Sequence, residues 1–410
     1  MKVLIVSQYF WPESFRINDV VRSLIEKGIS VDVLTGKPNY PLGQKFPGYG
    51  GWGCQCEKWM GANVYRVPLS ARGVGSALKL ALNYLSFVAS GLFFGPIMLR
   101  NRHYDAIFVY APSPILQAIP AIFLGWLKRC GVIIWVQDLW PESLSATGYV
   151  RDSRILKWVE TVVRFIYRHT DLLLVQSKAF EQRVAALAPG KRIVYYPNSV
   201  DSTFADPPDI ALPEVSELDD GFCVVFAGNV GSGQAVEVIV EAATLLRGHA
   251  DIRFIVFGQG SRWEWMRAEV QNRELTNLHL LGRYPVETMP GFMQKASALL
   301  VTLADQPIFA ATVPSKVQAY LAAGKPILAC LNGEGARLVE EANAGLISRA
   351  ENAGELAESV LHLHQMTHVE REKLGGNGRR YFKEHFDHDL LTDRLIEHLY
   401  SVSESCGSCK

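Results

Sequence analysis

Residues 223–234 read Cys-Val-Val-Phe-Ala-Gly-Asn-Val-Gly-Ser-Gly-Gln, and this stretch decides the fold. An apolar run, Cys223–Ala227, breaks at three glycines and gives way to an amphipathic stretch. A continuous apolar run is how a strand covered on both faces reads, and a glycine turn into a helix is its usual exit in a parallel sheet. Gly228, Gly231 and Gly233 also let backbone N–H groups approach a phosphate at the start of the helix. A second such turn, Phe257-Gly258-Gln259-Gly260-Ser261-Arg262, follows the next apolar run. A third segment, Thr312–Gln318, opens a helix with Lys316 in its first turn. The helix dipole disfavours a cation there, so a bound anion explains Lys316 better than helix stability does.

Outward from residue 223 the same alternation continues in both directions. Strand-like runs lie at Val3–Ser7, Val31–Thr35, Asn63–Val67, Ala106–Tyr110, Val132–Val136, Leu172–Gln176 and Ile193–Tyr196. After a Pro-rich and acidic linker at Pro197–Gly221, they resume at Cys223–Ala227, Arg253–Phe257, Leu278–Leu281, Leu299–Thr302, Ile327–Cys330 and Gly345–Ile347. The spacing predicts α/β architecture with two doubly wound domains, residues 1–200 and 201–378, and a helical segment at 379–410.

The 410 residues carry 41 Lys+Arg and 41 Asp+Glu, yet the balance is local. Residues 1–200 hold 23 basic and 12 acidic side chains, and the remainder hold 18 and 29. Zero net charge argues against a nucleic-acid coat, and the split points to different partners for the two halves. Seven scattered cysteines and a start that runs straight into Val3–Val6 favour a reducing cytoplasm. The Cys406/Cys409 pair stands alone at the C-terminus and reads as a frayed tail, and no metal cluster is expected.

Two stretches bear on membranes. Leu80–Leu99 is nearly uncharged and flanked by Arg72, Lys79, Arg100 and Arg102, which fits a core helix, an interfacial helix or a span. In Arg154–Arg168, helical spacing gathers Arg154, Lys157, Arg164 and Arg168 opposite Ile155, Val159, Val162 and Ile166. Such a face suits either water or anionic headgroups.

Ligands of open α/β sheets sit at the carboxyl ends of strands. After the first strand come Glu13, Arg16 and Asn18, suited to a hydroxyl-rich or phosphorylated ligand, with no GxGxxG to support a dinucleotide enzyme. After the fifth comes Gln137-Asp138-Leu139-Trp140-Pro141-Glu142-Ser143, where Asp138 would contact sugar hydroxyls or move a proton and Trp140 would stack on a ring. Each acid also suits a plain structural role at a turn or helix start.

Tyr9–Asp19, Pro38–Pro41, Gln137–Ser143, Tyr196–Asp201, Gly228–Gln234, Gly258–Gly260 and Ala322–Ile327 together resemble the GT-B retaining glycosyltransferases of family 4. The nearer likeness is to bacterial surface-polysaccharide enzymes, including N-acetyl-L-fucosamine transferases. The resemblance implies a cleft between the domains and a last helix that crosses back to the first. It implies a UDP-sugar substrate, without metal or other cofactor, held by Gly228, Asn229, Gly231, Gln234, Gly258, Gly260, Arg283, Ser315 and Gln318. Lys316, Asp138 and Glu13 become the catalytic candidates, and Arg16, Asn18 and Trp140 the acceptor contacts. The acceptor would be a polyprenyl-diphosphate-linked glycan for O-antigen or capsule, presented at the anionic inner face of the plasma membrane. The chain departs from the family where Asn229 and Gln234 replace an Arg and a Lys, and where Ala310 and Gln318 replace a Glu-x7-Glu pair. A GT-B nucleotide-sugar epimerase and a non-catalytic nucleotide-sugar-binding scaffold remain as rival readings.

Overall fold

The computed structural model describes residues 1–51, 53–73, 76–146, 152–200 and 202–407. Asp201, Cys409 and the side chain of Cys406 fall outside them. The chain forms two units, one of Met1–Pro197 with Thr392–Lys410 and the other of Asn198–Leu391.

The first unit is built on β1 (Lys2–Val6), β2 (Ser30–Gly36), β3 (Gln55–Trp59), β4 (Ala62–Val67), β5 (Ala106–Ala111), β6 (Gly131–Val136), β7 (Leu172–Val175) and β8 (Arg192–Tyr195). Their order is β3-β4-β2-β1-β5-β6-β7-β8, parallel except for β3. The second unit holds β9 (Phe222–Ala227), β10 (Ile252–Phe257), β11 (Leu278–Gly282), β12 (Ala298–Thr302), β13 (Ile327–Cys330) and β14 (Gly345–Ser348). Here the order is β11-β10-β9-β12-β13-β14, all parallel. Both are Rossmann-like. Strand order reverses at β1 in one sheet and at β9 in the other. The crevice at such a reversal is where a doubly wound sheet takes its ligand, so the Gln8–Asn18 loop and the Gly228 turn occupy the two privileged positions.

β3 has no counterpart in the sequence reading. Gln-Cys-Glu-Lys-Trp is too polar for a buried strand, and it survives as an edge strand hairpinned to β4 through Met60 (φ +48°) and Gly61 (φ +95°). Two boundaries also move. Asn198–Val200 belong to the second unit, where Val200 N–H donates to Phe386 O at 3.3 Å and Ser199 Oγ lies 2.8 Å from His388 Nδ1. Arg379 sits within the helix His368–His385 and binds Ala205 O at 2.5 Å, so the second unit runs on to Leu391. From Thr392 the helix His388–Gly407 packs in the first unit, burying Leu395, Leu399 and Val402.

The apolar stretch near residue 90 is the helix Ala77–Met98, long and apolar enough to cross a membrane. It is not a core helix. One face packs inward through Asn83, Tyr84, Phe87, Gly91 and Gly95, while Leu78, Leu82, Leu85, Phe93 and Ile97 stand exposed. Asn83 is fully buried and explains how so apolar a helix is oriented. Its Oδ1 accepts from Gln8 Nε2 at 2.7 Å, and its Nδ2 donates to Ser70 O at 2.6 Å and to Asn39 Oδ1 at 3.4 Å. One carboxamide thus ties the helix to the chain leaving β1, β2 and β4. Asn83→Leu preserves volume but orphans those groups, and should cost about 1–3 kcal/mol in urea unfolding. A neutral result would mean the three loops hold their places without it.

Candidate functional site

In the second unit the site is set by two turns that touch. Gly228 leaves β9 at φ +142° and Gly258 leaves β10 at φ +133°. A Cβ on Gly258 would lie 1.7 Å from Gly228 O, so only glycine permits the crossing. Val230 N–H donates to Gln259 O at 3.1 Å and Arg262 N–H to Val230 O at 3.0 Å, locking the turns together. Asn229 bridges them sterically: a Cβ on Gly231 or on Gly260 would lie 2.6 Å from its amide.

Lys316 enters this pair of turns from the helix Ser315–Ala323. The helix begins after Pro314 without a side-chain cap, leaving the lysine in its first turn. A Cβ on Gly228 would lie 2.5 Å from Lys316 Cε. Lys316 Nζ donates to Gln234 Oε1 at 2.7 Å and stands 3.6 Å from the centre of the Phe226 ring. Neither neighbour carries a full negative charge. Surrounding protein therefore penalises the ammonium, and burial lowers its pKa from the ordinary 10.5 to about 7.

Beside this ammonium stand Gly228 and Gln234; Gly258 abuts Gly228, and Asn229 lies against Gly231 and Gly260. Arg283 is exposed on the next turn, directly after Gly282, whose carbonyl accepts from Gly258 N–H at 2.7 Å. Ser315 is exposed at the helix start. Gln318 is turned elsewhere, its Nε2 donating to Asn198 O at 2.8 Å while its buried Oε1 has no hydrogen-bond partner among the described residues. Arg262, a further cation near the turns, is held by Glu237 at 2.6 Å and stacked on Trp265.

Three supports of this site carry no distinct signal in the sequence. Phe226 faces the ammonium, Thr302 Oγ1 donates to Gln234 O, and the Tyr320 hydroxyl accepts from Ala227 N–H at 3.1 Å. Tyr320 lies one helical turn beyond Lys316, a spacing that signals a shared face but is indistinguishable from core periodicity.

In the first unit, Glu13 is 2% exposed and its carboxylate is committed. Oε1 accepts from Asn39 N–H and Tyr40 N–H, both at 2.7 Å, and Oε2 from Phe10 N–H at 3.3 Å. Burial raises its pKa and those bonds oppose the shift. Its geometry is that of a positioning residue joining the β1 and β2 loops. Asn18 closes the β1 loop on itself, accepting from Trp11 N–H at 3.0 Å and donating to Glu13 O at 2.7 Å. Arg16 begins the next helix, half-buried.

Asp138 follows β6 and accepts from Ser143 Oγ; burial raises its pKa against that bond. Trp140 does not present a stacking face. It is 4% exposed, its ring tilted against Tyr84 at 6.4 Å and its Nε1 donating to Ser113 Oγ at 3.0 Å. Trp11 in the β1 loop and Tyr40 packed against that loop are exposed aromatic side chains there. Among the described residues no three His, Cys, Asp or Glu side chains converge as metal ligands.

Residues 14–199 match the family described as Glycosyl transferase 4-like domain, and residues 221–366 match Glycosyl transferases group 1. An Escherichia coli (strain K12) protein, provisionally named a colanic acid biosynthesis glycosyl transferase, WcaI, is 26% identical over 79% of this chain and 82% of its own length. In structure the chain resembles sucrose-phosphate synthase from Thermosynechococcus elongatus, with TM-score 0.73 and 15% identity over 98% and 99% of the two chains. It also resembles Anabaena HepE in complex with UDP, with TM-score 0.67 and 14% identity over 98% and 100%. The architecture is that of GT-B glycosyltransferases.

Lys316 makes stability depend on pH in a stated direction. Between about pH 7 and 10.5 the unfolded chain holds a proton that the folded chain has released, so this term adds stability as pH rises and is most unfavourable below pH 7. Lys316→Met removes it. The variant should gain stability over wild type near pH 6.5 and lose that advantage near pH 10, read from urea midpoints. A pH-independent difference would show that the ammonium is not penalised by burial.

Proposed function

We propose that this chain, which carries two glycosyltransferase domains, transfers a sugar from a UDP-sugar to a polyprenyl-diphosphate-linked saccharide in bacterial surface-polysaccharide synthesis. The carrying observation is Lys316: a penalised ammonium at a helix start, against the Gly228 turn, without a carboxylate partner among the described residues. A departing diphosphate supplies the missing charge. Backbone N–H groups of Asn229, Gly231, Ser232 and Gly233 and of the Ser315 helix start complete the cradle, while those of Gly228, Val230 and Gln234 hold the turn itself. Binding of UDP by the structurally similar HepE supports this donor class.

No carboxylate bonds Lys316 among the described residues, and retention by front-side attack needs no enzymic nucleophile. In that step the acceptor oxygen bonds to the anomeric carbon as the carbon–oxygen bond to the diphosphate breaks, and the acceptor proton passes to a departing phosphate oxygen. Asp138 and Arg16 orient the acceptor, and Glu13 holds the loops that present it. The colanic acid relative supports a surface-polysaccharide acceptor. UDP-N-acetyl-L-fucosamine is the donor to try first.

Membrane docking of the first unit, at the inner face of the plasma membrane, completes the proposal. It is supported by the exposed side of Ala77–Met98 and by the helix Ser153–Arg168. In the latter Ile155 and Trp158 are exposed beside Arg154 and Lys157, while Arg164 pairs with Glu160 at 2.8 Å. Ile155 thus belongs to the outer face, since the inner one is Val159, Val163, Ile166 and Tyr167.

A thermal-shift titration with UDP, GDP, dTDP and NAD tests the donor class. UDP at a hundredfold over Kd should stabilise by about 2.7 kcal/mol, selectively. Lys316→Ala should shrink that shift and cost about 2.7–4 kcal/mol of transition-state stabilisation in kcat/KM. A GDP or dTDP preference would change the sugar, and no shift with any nucleotide would favour the scaffold reading.

A further inference from the structure

The first sheet has a second open feature, at the end opposite the Glu13 and Asp138 loops. A groove of about 1210 Å3 lies where β6, β7 and β8 begin, lined there by Cys130, Asp171 and Arg192. One wall is apolar. Ile122, Trp126 and Leu127 come from the last turns of the helix Ala118–Lys128. Trp126, at 76%, is the most exposed large apolar side chain among the described residues, and Phe123 stacks on it at 6.2 Å.

The other wall is basic. Arg129 caps the same helix in left-handed backbone (φ +55°), and Arg192 and His169 approach from β8 and from the end of Ser153–Arg168. Among the described residues no carboxylate pairs with either arginine; Arg192 donates only to Ser401 Oγ, at 2.7 Å. Asp171 is the one acidic residue lining the groove among the described residues, and its Oδ2 accepts from Val132 N–H at 2.7 Å. His169 lies with Nδ1 2.8 Å from Phe165 O, which places the proton on Nδ1 and leaves Nε2 for a ligand.

Unpaired guanidinium groups select a phosphate, and Arg recognises one with directed bonds. A small soluble anion would leave the Trp126 wall in water. An amphiphile covers both walls, with its charged head among the cations and its chains against the aromatic side. We infer that this groove binds one anionic phospholipid, its phosphate among Arg129, Arg192 and His169 and its chains along Ile122, Trp126 and Leu127. The inference rests on the membrane-docking part of the proposed function and is independent of the donor. It makes docking stoichiometric, with a seated lipid at the strand-start end of the unit.

The full chain is titrated with dihexanoyl-phosphatidylglycerol below its micellar concentration and followed by native mass spectrometry and calorimetry. One saturable site is expected, about tenfold tighter than for dihexanoyl-phosphatidylcholine. Arg129→Ala/Arg192→Ala should weaken it by about tenfold or more, with Trp126→Ala also weaker and both variants giving the wild-type UDP thermal shift. Equal affinity for the two lipids, indifference to the double substitution, or equal binding of chain-free glycerophosphoglycerol would overturn the inference. Flotation with phosphatidylglycerol vesicles separates the two levels. If wild type floats but binds no soluble lipid, docking stands and the seated lipid falls; if it neither floats nor binds, both fall.

Discussion

Two backbone turns in the second unit approach until a single hydrogen at Gly258 fits against the carbonyl of Gly228, and the candidate donor site follows from that contact. With any side chain at Gly258 the turns would separate, and the bonds from Val230 and Arg262 that hold their depth would be lost. A side chain at Gly228 would occupy the space that Lys316 takes. The crossing brings backbone N–H groups and one ammonium to the end of β9, where the sheet order reverses. Steric necessity in the backbone and electrostatic incompleteness in the lysine are two sides of one arrangement.

That incompleteness separates a binding site from a structural ion pair. A lysine that stabilised only the fold would be expected to sit beside a carboxylate or in water. Lys316 has a neutral amide and an aromatic face, which hold its direction without neutralising it. Gln234 Oε1 accepts from the ammonium and orients it. The first unit shows the contrasting case: the Glu13 carboxylate accepts three backbone N–H bonds and serves the loops around it.

Strand positions were legible because buried parallel strands are short, apolar and bounded by turn residues, as in Val132–Val136 and Ile327–Cys330. β3 was not, because an edge strand with polar residues carries no such pattern, and Gly61 was its only signal. The glycine turns and Lys316 were legible as chemistry out of place, namely glycines after a strand and a cation at a helix start. The burial of Trp140 was not legible, because residue type says nothing of which face is covered. The orientation of Ala77–Met98 was hidden because a single Asn83 sets it, and one polar residue in an apolar run reads as dilution. Phe226, Thr302 and Tyr320 were lost among core residues of identical type.

If Lys316 is the diphosphate ligand, it takes up a proton when the diphosphate arrives. Calorimetric titration of UDP near pH 8 in buffers of different ionisation enthalpy measures that uptake directly. An ammonium whose pKa near 7 is restored upward by the bound anion should give approaching one proton gained per UDP in wild type and about none in Lys316→Met. No uptake by wild type, or the same uptake by the variant, would contradict it.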